Sequence, residues 1–371
     1  MPDQASVIVV AESARALAAS ARRAGYAPLA IDVFGDSDTR ALSEALICLD
    51  GGLAHGLNEA ALMRAINLML ADYNPIGVIC SGLDDQPDSI AAMERRARVI
   101  GNRASTIARV KDPSAFAGLC ADCGVPHPEI SLRAPTVLTG WLVKQRGGSG
   151  GGHIRAATSD DCGAPGNYFQ RRVEGESCSA LFAADGENAQ IIGLSSQWSA
   201  PTPFKPFRFG GAVGPISLPA GQTATIARAV GCLTPVLGLV GLNSADFLID
   251  GDNVWLLEIN PRPGATLDVF DSTSDSLMKR HIAACEGKLA PLSPPGQIKA
   301  AAIVYAPSDL FIPALIDWPD WAADRSMPGT QILAGEPFCT VLATGPTPNL
   351  AQSCARERAR HIVAGVGGVA R

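Results

Sequence analysis

Three short apolar runs, Val7 to Val10, Leu29 to Val33 and Ile76 to Cys80, are separated by stretches of helical periodicity, Ser13 to Ala24 and Leu57 to Ala71. Runs of four or five apolar residues are strand-length, whereas apolar positions recurring every three or four residues mark one face of a helix. This strand–helix–strand rhythm commits the start of the chain to an α/β fold. Gly25 falls where the first helix needs a terminating residue. Asp32, Asp36 and Asp38 lie just beyond a strand end, where open α/β sheets present ligand-facing loops, although Asp36 and Asp38 are expected to be solvated loop acids. The first strand-to-helix turn reads Val10-Ala11-Glu12-Ser13 in place of GxGxxG, so a site for NAD or FAD has no support.

With 371 residues, the chain has room for two or three packed units. Its net charge of -6 is spread without a Lys/Arg run, which argues against nucleic acid as a partner. The start, Met1-Pro2-Asp3-Gln4, lacks a basic region, and no apolar stretch reaches the roughly 20 residues of a membrane span. The expectation is a cytoplasmic protein without a membrane partner. Ten cysteines scattered between Cys48 and Cys354 read as mostly reduced core thiols, and Cys120 with Cys123 lacks the second CxxC of a tetrahedral metal site. His55, His127, His153, His281 and His361 show no ligand spacing, so a histidine-based zinc enzyme is not expected.

A helical segment from Asp112 to Cys123 ends at Gly124, and Pro126 and Pro128 force an extended path beyond it. Strands are expected at Trp141 to Lys144, Tyr168 to Val173, Cys178 to Phe182 and Ile191 to Leu194. A helix follows from Ile226 to Leu239, weakened or kinked at Gly231 and Pro235. Ser244 to Ile249 and Val254 to Ile259 form a hairpin around Asp250-Gly251-Asp252-Asn253. A small β-rich appendage begins near Leu292-Ser293-Pro294-Pro295-Gly296 and ends in a helix from Ala351 to Val363, with Gly365 to Arg371 frayed. The units are residues 1–105, 106–291 and 292–371.

Strand alternation puts Glu258 and Asn260 on one face, with Asp246 on the strand across the hairpin. Two carboxylates and an amide oxygen are hard donors suited to magnesium, which keeps positions for water and phosphate oxygens. Arg262, in the same Glu-Ile-Asn-Pro-Arg run, can hold a phosphate or carboxylate through two parallel hydrogen bonds. Lys144 is followed by Gly147-Gly148-Ser149-Gly150-Gly151-Gly152, which lacks the P-loop pattern but could bring backbone N–H groups to an anion.

These motifs resemble the ATP-grasp superfamily. The resemblance implies an ATP-grasp fold with an N-terminal Rossmann-like domain and a small β-rich C-terminal domain. In it, Lys111 and Lys144 match the two ATP-contacting lysines, and Ser149 and Gly150 the glycine-rich phosphate cover. Phe169-Gln170-Arg171-Arg172-Val173-Glu174-Gly175-Glu176 resembles the hinge between lobes. The backbone of Arg171 and Val173 would then read adenine, with Gln170 near its amino group. Glu174 and Glu176 compete for the ribose, with Glu176 favoured. Asp246, Glu258 and Asn260 match the positions for magnesium, or manganese in its place, and Arg262 the arginine beside the transferred phosphate.

The superfamily's chemistry implies activation of a carboxylate as an acyl phosphate and its capture by an amine. Val9 to Arg15, Asp32 to Asp36 and Phe209-Gly210-Gly211 resemble a group that includes tyramine-glutamate ligase of methanofuran biosynthesis, implying a glutamate-like donor and a small amine in one-carbon cofactor assembly. Lys205 and Arg208 could recognise an acidic substrate, or form an exposed basic loop. A peptide-forming ligase and a catalytically silent ATP-binding protein are the alternatives. A homodimer is implied by analogy.

Overall fold

A computed structural model describes residues 4–50, 56–161, 165–294 and 296–367. His55, Cys162, Pro295 at the expected domain connection and Gly368 to Arg371 of the expected frayed end lie outside the described residues. The N-terminal rhythm becomes β1 (Ser6–Ala11), β2 (Ala27–Asp32), β3 (Ala45–Cys48) and β4 (Val78–Cys80). These form a parallel sheet in the order β3-β2-β1-β4. Helices Arg15–Ala24 and Glu59–Asp72 pack against it, and the uninterrupted apolar strands follow from both faces being covered. Gly25 caps the first helix at φ 88°, a left-handed conformation that glycine adopts without a Cβ penalty.

Helices Ala104–Lys111 and Pro113–Asp122 lead into a small antiparallel sheet of β5 (Ile130–Ser131), β6 (Trp141–Gln145), β7 (Arg155–Ala156) and β8 (Asn167–Arg171), ordered β5-β8-β6-β7. The larger sheet begins with β9 (Glu176–Asp185), β10 (Ala189–Ser199), β11 (Phe209–Gly214), β12 (Val240–Asp250) and β13 (Asn253–Asn260). Helix Ala220–Leu237 buries Ile226, Val230, Leu233 and Leu237 against the face carrying Phe182, Phe247 and Leu256. Pro235 sits in its last turn, where the helix has few further bonds to lose.

The C-terminal strands do not form a sheet of their own. β14 (Lys299–Tyr305), β16 (Ala322–Ala323) and β18 (Pro337–Thr344) continue the larger sheet in the order β13-β12-β9-β10-β11-β14-β18-β16, joined through β11 and β14. Only β15 (Leu310–Phe311) and β17 (Gln331–Ile332) pair separately. Helix Pro348–Gly367 covers this end through Ala351, Ala355 and Ile362. Helix Leu277–Cys285 links the sheets at the other side, sharing a core with Val7, Leu17 and Leu181.

One cysteine expectation is corrected. Cys123, at the end of helix Pro113–Asp122, pairs with Cys232 in helix Ala220–Leu237 as a disulfide. Cys120 is the buried free thiol that core packing predicts. A separation of 109 residues hides such a pairing from any reading of local spacing.

Candidate active site

The hairpin of β12 and β13 pairs Asp246 with Glu258, but the next pair, Phe247 with Leu256, leaves Leu257 as an extra residue on β13. This bulge decides the site. Val254 and Leu256 face the core, and uninterrupted alternation would send Glu258 and Asn260 to the same apolar side. The extra residue resets the phase, so Ile259 enters the core while Glu258 and Asn260 turn to the opposite face with Asp246.

Asn260 Nδ2 donates to Asp246 Oδ2 at 2.9 Å, and Lys111 Nζ donates to Asn260 Oδ1 at 2.8 Å. The Lys111 ammonium also lies 3.9 Å from Glu258 and 3.7 Å from Asp84. Arg262 Nε donates to Asp84 in a close ion pair. Burial penalises the Asp84 charge, but Arg262 and Lys111 outweigh it and hold the carboxyl below its usual range. Glu258 is also held low: burial opposes its charge, while Lys111 and Lys144 favour it. Asp246 goes the other way, to about 6, through burial and repulsion from Glu258.

Asp246 Oδ1 is buried and, among the described residues, makes no hydrogen bond of ordinary geometry; the Ser179 hydroxyl on the neighbouring strand, also without one, is a polar group that acts on this carboxyl. A buried carboxylate oxygen left unsatisfied beside a second carboxylate and an amide is what a hard cation would complete, so the residues fit magnesium. Among the described residues no three His, Cys, Asp or Glu side chains group as metal ligands, so a third protein oxygen for a cation here would have to come from another residue type, as the Asn260 amide does. Its Oδ1 accepts from Lys111, and half a turn of the amide would direct it toward the carboxylates.

Lys144, 3% exposed on β6, donates to Gln170 Oε1 of the neighbouring β8 at 3.2 Å. Burial lowers its pKa, with the Glu258 charge opposing that shift. A Cβ on Gly147 would collide with the Asp85 backbone and one on Gly151 with the Phe207 carbonyl, so the glycine-rich loop approaches both segments as no other residue could. The Phe209 N–H donates to the Gly150 carbonyl at 2.8 Å. Below the loop is a narrow cavity bounded by Lys111, Gly148, His153, Tyr168, Gln170 and Glu258.

The other expected residues occupy the glycine-rich loop, the end of β8 with the segment that follows it, and the loop between β10 and β11. Ser149 and Gly150 are exposed on the loop. Arg171 donates its backbone N–H to the Glu129 carbonyl at 2.7 Å, and its side chain lies over Trp141. Val173 sits in the segment connecting the two antiparallel sheets and Glu176 opens β9; Glu174 is paired with Arg172. Arg171, Val173 and Glu176 do not line the narrow cavity. Lys205 is exposed, whereas Arg208 stacks 3.6 Å from the Tyr305 ring centroid and donates to the Ala200 and Gly335 carbonyls.

Two residues escaped the sequence reading. Asp84 follows β4 and holds both Lys111 and Arg262; its position beyond an apolar strand end is the signal that singled out Asp32. His153 brings a buried Nδ1 without a partner among the described residues to the cavity wall, and burial lowers its pKa against the opposing Glu258 charge. Only its place directly after the glycine run could have suggested a role.

A mixed α/β molecule in which a small antiparallel sheet carrying Lys144 accompanies a larger sheet carrying Asp246, Glu258 and Asn260 has the ATP-grasp fold. Residues 119–266 match the family model of the ATP-grasp domain. The biotin carboxylase domain of Hydrogenobacter thermophilus 2-oxoglutarate carboxylase superposes with a TM-score of 0.74 at 14% identity, covering 96% of this chain and 89% of that one. L-amino acid ligase from Bacillus licheniformis gives 0.68 at 14%, covering 96% and 97%. N5-carboxyaminoimidazole synthetase from Staphylococcus aureus gives 0.68 at 13%, also covering 96% and 97%. No curated protein matches the chain significantly in sequence. Among the described residues, no helix is long and apolar enough to cross a membrane.

Proposed function

We propose that the protein is an ATP- and magnesium-dependent ligase that activates a carboxylate as an acyl phosphate and joins it to a small amine. The observation that carries this reading is the convergence of Asp246, Glu258 and Asn260 across one hairpin, with an unsatisfied Asp246 oxygen and three cations, Lys111, Lys144 and Arg262, close by. Asp246, Glu258 and Asn260 would hold magnesium, which would supply charge neutralisation for the nucleotide phosphates.

The side chains have separable roles. Lys111, held by Glu258 and Asp84 here, is placed to exchange those contacts for phosphate oxygens, while Lys144 is positioned by Gln170. Arg262, anchored by Asp84, orients the γ-phosphoryl group toward the carboxylate. A carboxylate oxygen forms the new bond to phosphorus as the bond to ADP breaks. The neutral amine then attacks the carbonyl carbon, a C–N bond forms, phosphate leaves with the electron pair of the C–O bond, and the proton lost from nitrogen leaves on the phosphate. The glycine-rich loop would exclude water from the acyl phosphate. Ser149, Gly150, Gln170 and the Arg171–Glu176 segment would hold the rest of ATP.

The first substrates to test are a glutamate-like donor and a small amine of the kind used in methanofuran-type cofactor assembly. The L-amino acid ligase among the similar structures favours a second reading, in which another amino acid is the acceptor. A homodimer is part of the proposal, since the carboxylase domain in the same set is described as a dimer. The test is ADP release with magnesium-ATP, L-glutamate and a panel of amines and amino acids, with mass analysis of the product. An amide formed together with ADP supports the ligase. Saturable ATP binding without turnover in any mixture would leave a silent nucleotide-binding protein.

A further inference from the structure

A second, larger cavity of about 270 Å³ lies where the three parts of the chain meet. It is bounded by Glu12 and Arg15 after β1, by Phe34 after β2, by Pro263 and Gly264 just beyond Arg262, and by Ile303 and Thr340 of the C-terminal strands. It adjoins the metal-site face: Ser81, which lines it, donates to the Pro263 carbonyl at 2.8 Å, one residue past the arginine anchored by Asp84. Its volume falls just below the roughly 300–1,000 Å³ typical of small-molecule sites, which suits a compact ligand.

The lining is apolar in body and negative in charge. Leu17, Phe34, Phe209 and Ile303 supply the apolar surface. The charged groups are Glu12, Asp268 and Asp324 against the single guanidinium of Arg15. That guanidinium is consumed: it pairs with Asp268 and donates to both oxygens of Asp324 at 3.0 and 2.9 Å, and Ser13 Oγ donates to Asp324 at 2.7 Å. Glu12 remains exposed. Partial burial of its carboxyl raises the Glu12 pKa, the charge of Arg262, itself engaged by Asp84, opposes that shift, and the charge of Asp85 adds to it. Among the described residues no free cation lines the cavity, so an anion entering here would meet net negative charge.

We infer that this cavity receives the acceptor amine as an ammonium ion, with Glu12 as its ionic partner and a compact apolar body against Leu17, Phe34, Phe209 and Ile303. The carboxylate to be activated then belongs on the Arg262 side, and the acceptor nitrogen, after giving one proton to the Glu12 carboxylate, approaches as the neutral amine from the side of Pro263. This deepens the ligase reading and rests on it. Glu12 and Phe34 stand in the loops that follow the first two parallel strands, so the N-terminal unit acts here as the acceptor-recognition unit.

Three probes with one shared body test the charge: 2-phenylethylamine, 2-phenylethanol and 3-phenylpropanoate. Calorimetric titrations of the full chain with magnesium and a non-hydrolysable ATP analogue, and without them, read their affinities. The amine is expected to bind about tenfold or more tightly than the alcohol, with no binding of the propanoate. In Glu12→Gln that preference should shrink to about threefold or less, with nucleotide affinity unchanged. Ile303→Trp, which fills the cavity, should weaken the amine and the alcohol alike, and circular dichroism checks both folds. Equal binding of amine and alcohol, preference for the anion, no binding of any probe, or a preference that survives Glu12→Gln would overturn the inference. Nucleotide binding without amine preference sinks this assignment and spares the ligase; a Glu12-dependent amine site in a protein that never releases ADP does the reverse.

Discussion

Replacing Asp84 with asparagine should destabilise the protein more than any other single isosteric change at the site. Asp84 is 4% exposed and faces two cations, Arg262 through a close ion pair and Lys111 at 3.7 Å. At an effective dielectric of about 20, unit charges about 4 Å apart attract by about 4 kcal/mol. Lys111 keeps Glu258 and Asn260 in the variant, so most of its share is retained. Arg262 keeps a 3.4 Å contact with the Pro263 carbonyl and the more distant charges of Glu258 and Asp246, but loses its one close ion pair among the described residues while largely buried. The net loss should be about 3 kcal/mol, within the range of about 3–5 kcal/mol for breaking a buried pair. That is roughly a hundredfold shift in the unfolding equilibrium. Urea denaturation at pH 7 reads it. Because the folded Asp84 carboxyl is held below its unfolded value, its stabilisation is complete above about pH 4 and fades as the pH falls further. The asparagine variant should lose that acid-side dependence. A variant within about 0.5 kcal/mol of the parent would refute the claim that Asp84 anchors both cations.

Glu258→Gln should retain the fold, since the side chain is 32% exposed, while cutting magnesium-ATP turnover about a hundredfold or more; near-parental turnover would remove it from the metal site. Magnesium affinity should fall as the pH drops through about 6, because Asp246 takes up a proton there; a flat profile between pH 5 and 8 would contradict its role as a ligand. In the metal-free protein the same raised pKa makes the Asp246 contribution to stability decline as pH rises from about 4 to about 6. Cys232→Ser should lower stability by about 2–4 kcal/mol without reductant and by little in dithiothreitol, since the bond closes a loop of more than a hundred residues; equal effects in both buffers would count against the disulfide.

The N-terminal unit was legible because its strands are short apolar runs, with well-marked helices between β1 and β2 and before β4. The hairpin was legible because Asp246, Glu258 and Asn260 are hard donors on neighbouring strands. Its bulge was not, because one extra Leu257 among apolar residues leaves composition unchanged while reversing which face each side chain meets. β11 was missed as a strand because its Gly-Gly-Ala stretch offers little β propensity, yet β11 is the strand that joins the C-terminal strands to the larger sheet. Asp84 and the Cys123–Cys232 pair depend on partners far away in the chain, and His153 on a loop turning back over β13, so no window of local sequence contains them.

Transfer of oxygen from the carboxylate to phosphate is the most direct test of the proposed chemistry. With magnesium-ATP, an amine acceptor and a donor acid labelled with ¹⁸O in its carboxyl group, activation through an acyl phosphate predicts one labelled oxygen in the inorganic phosphate released with each amide formed. Amide formation with unlabelled phosphate would contradict that route, and release of unlabelled phosphate without amide would reduce the site to an ATPase.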